Sequence, residues 1–261
     1  VNSFERALAV NPDYADVHNN LGATLKDLGQ LDAAVSSYER TLAIKPNHAI
    51  AHKNLGNTLK DLGQLDAAVS SYERALAITP DNAEAHFNLA DTLRSLGQLD
   101  AAVNSYERGL VSQPDYVEMR INLGNTFNEL GQLDAAICSY KQALAIKPDF
   151  AEANLNIGNA FYKNGQFDAA ICSYEQALAI KPDYAEVHYK LGGTFFELDQ
   201  LDSAICSYEQ ALAIKPDYAE VYYNLANTLK QLGKREAAVN NYEKLLAIKP
   251  DYAEGYYNLG V

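Results

Sequence analysis

Apolar and small residues recur in two series of helical spacing within every 34 residues of this chain. Counted from the third residue after each proline, the first series occupies positions 3, 7, 8, 11 and 14 of a repeat, and the second occupies positions 17, 20, 21, 24, 27 and 28. In repeat 185–218 these residues are Val187, Leu191, Gly192, Phe195 and Leu198, then Leu201, Ala204, Ile205, Tyr208, Ala211 and Leu212. Spacing of three and four residues places each series on one face of a helix, so every repeat predicts a pair of helices.

The period of the pattern does not vary along the chain. All eight prolines stand 34 residues apart, at Pro12, Pro46, Pro80, Pro114, Pro148, Pro182, Pro216 and Pro250. A fixed period of this length predicts an all-α fold, an α-solenoid in which each repeat touches its neighbours, forming a single domain over residues 1–261. The whole repeats are 15–48, 49–82, 83–116, 117–150, 151–184, 185–218 and 219–252, with partial repeats at 1–14 and 253–261.

The residues between the two series predict where each helix begins and ends. A glycine at position 15 is suited to the left-handed conformation that ends a helix, and Asp199 takes this place in one repeat. Pro182 is not tolerated in the interior of a helix and so marks the end of the preceding one. We expect Asp183 to cap the next helix and Glu186 to return a bond to it, as in a capping box.

The charge of the chain disfavours anionic partners. Lys and Arg number 21 and Asp and Glu 34, a formal net charge of −13. Nucleic acids and anionic membranes normally require a basic surface, so neither is expected as a partner. No apolar run approaches the roughly 20 residues of a membrane span, and the start of the chain lacks the pattern of a signal peptide. Free cysteine thiols favour a reducing compartment, and a cytoplasmic protein is expected. Val1 is not a natural initiator residue, which suggests a fragment of a longer protein.

The cysteine and histidine residues follow the repeat and do not indicate chemistry. Cys138, Cys172 and Cys206 share one position, and neighbouring helices pack farther apart than the roughly 7 Å that a disulfide allows between Cα atoms. Histidines recur at position 4, where they are expected to pack: His18, His52, His86 and His188. No nucleophile and base pair, phosphate-binding glycine loop or metal-ligand spacing is present, so no catalytic, metal or cofactor site is predicted and the chain is not expected to be an enzyme.

Several positions match the tetratricopeptide repeat (TPR) family. These are Leu or Ile at 7, Gly or Ala at 8, Leu or Phe at 11, Ala at 20, an aromatic residue at 24, Ala at 27 and Pro at 32, and they resemble that family over essentially the whole chain. Position 27 departs locally, at Thr41, Gly109 and Leu245. The resemblance implies a right-handed superhelix whose first helices line a concave groove that binds peptides or protein segments, without catalysis.

Asparagine dominates two of the positions that the resemblance places in the groove. Position 6 is Asn20, Asn54, Asn88, Asn122, Asn156, Lys190, Asn224 and Asn258, and position 9 adds Asn57, Asn125, Asn159 and Asn227. A side-chain amide both donates and accepts hydrogen bonds, so such a row could pair with the backbone of an extended peptide. The row is similar to the asparagine ladder in the repeat arm of O-linked N-acetylglucosamine transferases and their bacterial relatives. The alternative is that these amides link neighbouring first helices.

Positions 5 and 12 become aromatic toward the C-terminal half. Position 5 passes from Asn19 and Lys53 to Tyr189 and Tyr223, and position 12 from Lys26 to Tyr162 and Phe196. Aromatic side chains are frequent anchors of protein interfaces. The predicted peptide-binding residues are Asn122, Asn125, Asn156, Asn159, Tyr162, Tyr189, Lys190, Phe196, Tyr223, Asn224 and Asn227.

Three functions remain open on the sequence. The first is a scaffold holding an extended peptide or a helix of a protein partner. The second is the substrate-recognition arm of a larger enzyme, such as a glycosyltransferase of the O-linked N-acetylglucosamine type. The third is a self-assembly module, in which residues 253–261 of one molecule stack on residues 1–10 of the next. Capture of a chaperone tail by a two-carboxylate clamp is disfavoured, because Glu118 would repel the terminal carboxylate.

Overall fold

The computed structural model describes residues 1–259, and within that range it contains sixteen α-helices and no strand. The helices form two compact units, Val1–Gly131 and Gln132–Val261, called here the N-terminal unit and the C-terminal unit. The predicted all-α solenoid class is confirmed. A single domain over 1–261 stays a prediction, and residues 260 and 261 of the predicted partial repeat 253–261 lie outside the described residues.

The N-terminal unit contains helices α1 to α8. Their bounds are α1 Asn2–Val10, α2 Ala15–Asp27, α3 Leu31–Ile44, α4 Ala49–Asp61, α5 Leu65–Ile78, α6 Ala83–Ser95, α7 Leu99–Ser112 and α8 Val117–Glu129. The C-terminal unit contains α9 Leu133–Ile146, α10 Ala151–Lys163, α11 Phe167–Ile180, α12 Ala185–Glu197, α13 Leu201–Ile214, α14 Ala219–Gln231, α15 Arg235–Ile248 and α16 Ala253–Leu259. Even-numbered helices are the first helices of repeats, and odd-numbered ones are the second helices.

Each hairpin turns at position 15. The glycines there have φ between 71° and 77°, as at Gly165 with φ 71°, and Asp199 has φ 57°. No atom lies within 4 Å of a Cβ built on Gly165, so the backbone conformation, and not crowding, favours glycine at this turn. The sequence prediction of left-handed turns, including Asp199, is confirmed.

The core of each repeat is built from three recurring features of the pattern. The tyrosine at position 24 is buried in every whole repeat, with at most 2% of its surface exposed, and the alanine at position 20 is at most 3% exposed. In four repeats the ring lies against the glycine at position 8, and a Cβ built on Gly158 would stand 2.4 Å from the ring of Tyr174. Small residues at position 8 therefore let the first helix approach the ring closely.

The predicted capping by aspartate is wrong. The N-cap of each first helix from α2 to α14 is the last residue of the preceding repeat, so Tyr184 and not Asp183 is the N-cap of α12, and its side chain makes no capping hydrogen bond. Among the first helices α2 to α14, side-chain capping at this place comes from His48 and Asn82, which accept from the backbone N–H of Ala51 and Ala85. The rings of Tyr218 and Tyr252, at this place, pack against tyrosines of the preceding first helix.

Candidate functional site

Successive first helices contact one another within each unit. In the N-terminal unit α2 contacts α4, α4 contacts α6, and α6 contacts α8; in the C-terminal unit α10 contacts α12, and α12 contacts α14. Within residues 1–259, successive second helices of a unit make no comparable contact. The hairpins therefore lie closer together on the side of the first helices. We call positions 2, 5, 6, 9, 12 and 13 of the first helices the first-helix face of each unit.

The first-helix face of the N-terminal unit carries a series of ion pairs. Each basic side chain at position 12 reaches an acid on the next first helix: Lys26 to Asp61 at 3.1 Å, Lys60 to Asp91, and Arg94 to Glu129 at 2.5 Å. Lys53 at position 5 pairs with Glu84 at 2.5 Å in the same manner. Partly exposed pairs of this kind contribute only roughly 0 to 1 kcal/mol each. Their effect is that acids of the same chain neutralise these Lys and Arg side chains of the face.

Asparagines of the N-terminal unit link neighbouring first helices. The Nδ2 group of Asn54 donates to Oδ1 of Asn19 at 3.3 Å, and that of Asn88 donates to Oδ1 of Asn57 at 3.0 Å. The same Oδ1 of Asn57 accepts from the Tyr72 hydroxyl at 2.7 Å. In these repeats the amides therefore link neighbouring first helices, which is the alternative to peptide binding that the sequence left open.

The C-terminal unit repeats this geometry with fewer charges. At position 12, the Tyr162 hydroxyl donates to Glu197 at 3.3 Å, in the place where Arg94 meets Glu129 in the N-terminal unit. Burial, then the Glu197 carboxylate, raises the pKa of Tyr162 above its ordinary value. An ion pair of this unit, Lys249 with Glu220 at 2.5 Å, joins the segment after α15 to α14 and not two first helices. At positions 5, 6, 9 and 12 of α10, α12 and α14 the face is lined mainly by amides and rings.

Tyrosines at position 5 stand at the centre of two equivalent aromatic clusters. Tyr189 lies 5.3 Å from the ring of Tyr218 and 6.2 Å from that of Tyr208, between ring centroids. Tyr223 has the same arrangement with Tyr252 at 5.5 Å and Tyr242 at 6.3 Å. Each position 5 ring is consequently held by the buried tyrosine of its own repeat and by the ring that precedes the next first helix.

The predicted binding residues of the C-terminal unit all lie on its first-helix face and are half-buried. Asn224 donates to the Tyr189 hydroxyl at 3.1 Å, and the Lys190 ammonium lies 5.5 Å from the centroid of the Tyr189 ring. Two asparagines accept from buried tyrosines of their own repeats, Asn159 from Tyr174 and Asn227 from Tyr242. Tyr162 and Phe196 pack at the margins of the hydrophobic clusters, and Asn156 and Tyr223 complete the set.

Asn122 and Asn125 belong to the N-terminal unit, on α8, where both are half-buried. Their participation in a binding site stays a prediction.

The rings that precede the first helices, Tyr218 and Tyr252, were missed as part of the candidate site. Burial raises the pKa of the Tyr218 hydroxyl to about 12, with Glu186 and Tyr189 adding to the effect. The sequence carried a signal, because an aromatic residue also ends four other repeats, at Tyr14, Tyr116, Phe150 and Tyr184. Sequence reasoning assigned that segment to helix capping and so did not consider ring stacking.

The histidines at position 4 make a repeated contact. The Nε2 atom of His52, His86 and His188 lies 2.9 to 3.1 Å from the carbonyl oxygen of the proline six residues earlier. All three side chains are buried, as expected for packing positions. The three cysteines are unpaired and exposed. Among residues 1–259, no group of three His, Cys, Asp or Glu side chains could hold a metal ion.

No helix within residues 1–259 is both long and apolar enough to cross a membrane.

Helix hairpins of constant length, stacked through their first helices around a buried tyrosine, define the class of α-solenoid repeat proteins. A family model described as TPR repeat matches residues 56–93, 90–131, 124–165, 158–199, 192–233 and 226–261, and a model described as tetratricopeptide repeat matches 15–48. The chain belongs to the tetratricopeptide repeat family. Proteins of this family are protein-interaction scaffolds and are generally not enzymes.

Solved structures show the same fold. MamA is 30% identical over 64% of this chain and 97% of its own, with a TM-score of 0.60. YrrB, described as a TPR protein with an unusual peptide-binding site, is 23% identical over 70% of this chain and 95% of its own, with a TM-score of 0.64. The C-terminal part of a TPR protein from Cytophaga hutchinsonii is 17% identical, covers 92% of this chain and 98% of its own, and has a TM-score of 0.77. A search of curated protein sequences gives no significant match.

Proposed function

We propose that the chain is a non-enzymatic scaffold that holds an extended peptide, or a helix of a protein partner, on the first-helix face of its C-terminal unit. The observation that carries the proposal is the contrast between the two units. Basic side chains of the N-terminal face are neutralised by acids of the next helix, whereas the C-terminal face presents half-exposed amides and aromatic rings. Rings that are already held in place lose little freedom on binding, which favours them as anchors.

The chemistry of the face supports a polypeptide as the ligand. Burying a large aromatic or aliphatic side chain contributes roughly 1.5 to 3 kcal/mol, while each amide hydrogen bond contributes only about 0.5 to 1.5 kcal/mol net. Rings such as Tyr162 and Phe196 would therefore supply most of the affinity, and the asparagines would hold the backbone of the ligand in register. The net charge of −13 disfavours nucleic acid, and a cytoplasmic location is part of the same proposal.

A selection of random peptides displayed on phage, carried out against the full 261-residue chain, tests this function. The tightest recovered peptide should lose affinity by about tenfold or more with Phe196→Ala and by about 2- to 13-fold with Asn156→Ala. Matched controls on second helices, Ile180→Ala and Asn240→Ala, should leave affinity unchanged, since both residues are exposed away from this face. Recovery of no peptide, or equal effects of the face and control variants, would refute the proposal.

Two further predictions made from the sequence carry no specific support from the structure. The resemblance of the asparagine row to the arm of O-linked N-acetylglucosamine transferases stays a prediction. At Asn54 and Asn88 the resemblance gives less support to ligand binding, because both side chains already donate hydrogen bonds to neighbouring first helices. Head-to-tail association through residues 1–10 and 253–261 also stays a prediction, and sedimentation velocity of the chain over a range of concentrations would test it.

A further inference from the structure

The inference rests on the proposed function and concerns the orientation of the asparagines at position 9. In the C-terminal unit, the Tyr174 hydroxyl lies 2.9 Å from Oδ1 of Asn159, and the Tyr242 hydroxyl lies 2.5 Å from Oδ1 of Asn227. Both tyrosine side chains are only 1% exposed. The amides, in contrast, are half-buried at the surface of the first helices.

The buried hydroxyl determines which end of the amide faces outward. An asparagine side chain has one acceptor oxygen and an NH2 group with two donors. Among residues 1–259 each of these two hydroxyls makes this one hydrogen bond. If the amide were flipped, its NH2 group would donate to the hydroxyl, and the hydroxyl hydrogen would remain buried without an acceptor, which is costly. Tyr174 and Tyr242 therefore keep the oxygen inward and the NH2 group toward the face.

Lys190, like the outward NH2 groups of Asn159 and Asn227, is a hydrogen-bond donor. In the N-terminal unit, positions 9 and 6 of successive first helices are in direct contact, since Nδ2 of Asn88 lies 3.0 Å from Oδ1 of Asn57. The equivalent pair in the C-terminal unit is Asn159 and Lys190, and an ammonium group can only donate. Lys190 makes no ion pair within residues 1–259. Its side chain rests over the Tyr189 ring.

We propose that Asn159, Lys190 and Asn227 form a row that presents only hydrogen-bond donors, and that this row binds carbonyl oxygens along the backbone of an extended polypeptide. Tyr174 and Tyr242 are positioning residues that act through the asparagines. Asn224 differs, because its NH2 group donates to Tyr189 and leaves its oxygen available as an acceptor. The sequence prediction treated the asparagines as equivalent, but their orientations differ. Asn159 and Asn227, at position 9, present donors to a ligand, whereas Asn224 presents an acceptor.

The first test separates positioning from a general structural effect. Repeat 185–218 has Gly193 at position 9, so its buried Tyr208 has no amide to orient, although it is as buried as Tyr174. The probe is the tightest linear peptide recovered by display on the full chain. Tyr174→Phe should weaken binding about 2- to 13-fold, the value of one hydrogen bond, and Tyr208→Phe should not change it.

The same substitution is then made in a chain that already carries Asn159→Ala. Tyr174→Phe should have no further effect on affinity there, because the amide that it orients is gone. A merely structural role of Tyr174 would weaken binding equally in both backgrounds and would overturn the inference.

The second test reverses the polarity of position 9. Asn159→Asp keeps an oxygen for the Tyr174 hydroxyl but replaces the NH2 donors with an acceptor, so affinity should fall by about tenfold or more while the thermal midpoint is retained. Asn240→Asp, on the exposed surface of a second helix, adds the same charge and should leave affinity unchanged.

The failures of the inference and of the proposed function are distinguishable. If a peptide is recovered and depends on Phe196 but binds Asn159→Asp as tightly as the parent chain, the donor row is overturned and the scaffold function stands. If display recovers no peptide, both are overturned.

Discussion

The buried tyrosines at position 24 predict that the protein unfolds in alkali. Burial, with a smaller effect of Asp27, raises the pKa of Tyr38 to about 12. Burial likewise raises the pKa of Tyr72, Tyr106, Tyr174 and Tyr208 above the ordinary range. In the unfolded chain these phenols ionise near pH 10. The stabilisation that they provide in their neutral form is complete below pH 10 and is lost as pH rises through the folded pKa.

The magnitude follows from the difference between the two states. At pH 11, a tyrosine with a pKa of about 12 when folded and about 10 when unfolded disfavours folding by roughly 1 kcal/mol. Five such residues together would remove on the order of 5 kcal/mol, which is comparable to the whole stability of many domains, about 5 to 15 kcal/mol. Unfolding is therefore expected between pH 10 and 12.

The assay combines circular dichroism at 222 nm with the phenolate absorbance at 295 nm. Exposed tyrosines should ionise near pH 10, and the buried ones should ionise only as helicity is lost. Tyr38→Phe should move the midpoint upward by about 0.2 pH unit, since it removes one of five comparable contributions. If all 18 tyrosines titrated together near pH 10 with full helicity, the reasoning would be refuted.

Two further predictions concern the glycines, and both are measured by urea unfolding. Gly165→Ala should lower the free energy of unfolding by about 1 to 2 kcal/mol because φ is 71°, and Gly165→Asp should cost less, as Asp199 accepts the same conformation; equal costs would contradict this. Gly158→Val should lower the free energy of unfolding by about 1 to 3 kcal/mol, since its Cβ alone would stand 2.4 Å from the Tyr174 ring. Gly158→Ala should lower it less, because Ala226 occupies the equivalent position of another repeat. A Val variant as stable as the parent would show that the ring moves freely.

The contrast between the two units explains how one repeat sequence can provide two kinds of surface. The contact between positions 12 and 13 of successive repeats is kept, but its chemistry changes from Arg94 with Glu129 to Tyr162 with Glu197. Because the core positions carry the fold, substitutions on the first-helix face change the chemistry of the surface without changing the packing beneath it.

The sequence by itself determined the helices, the turns and the core. Period, apolar spacing and the residue at position 15 are local properties, and a helix or a left-handed turn depends mainly on a few consecutive residues. That is why even Asp199 was predicted correctly. The capping prediction failed because the aromatic residue after the aspartate takes the N-cap place and packs its ring against the preceding first helix, as Tyr218 does against Tyr189.

Only the tertiary structure determined which hydrogen bonds the residues of the candidate site make. Asn57, Asn159 and Asn227 are alike in sequence, but the direction of each amide depends on a tyrosine 15 residues away and on the neighbouring first helix. Hydrogen bonds between repeats, such as that of Asn224 to Tyr189, depend on how closely the hairpins stack. The repeat pattern places an amide at a position on the surface, and only packing determines which of its atoms a partner can meet.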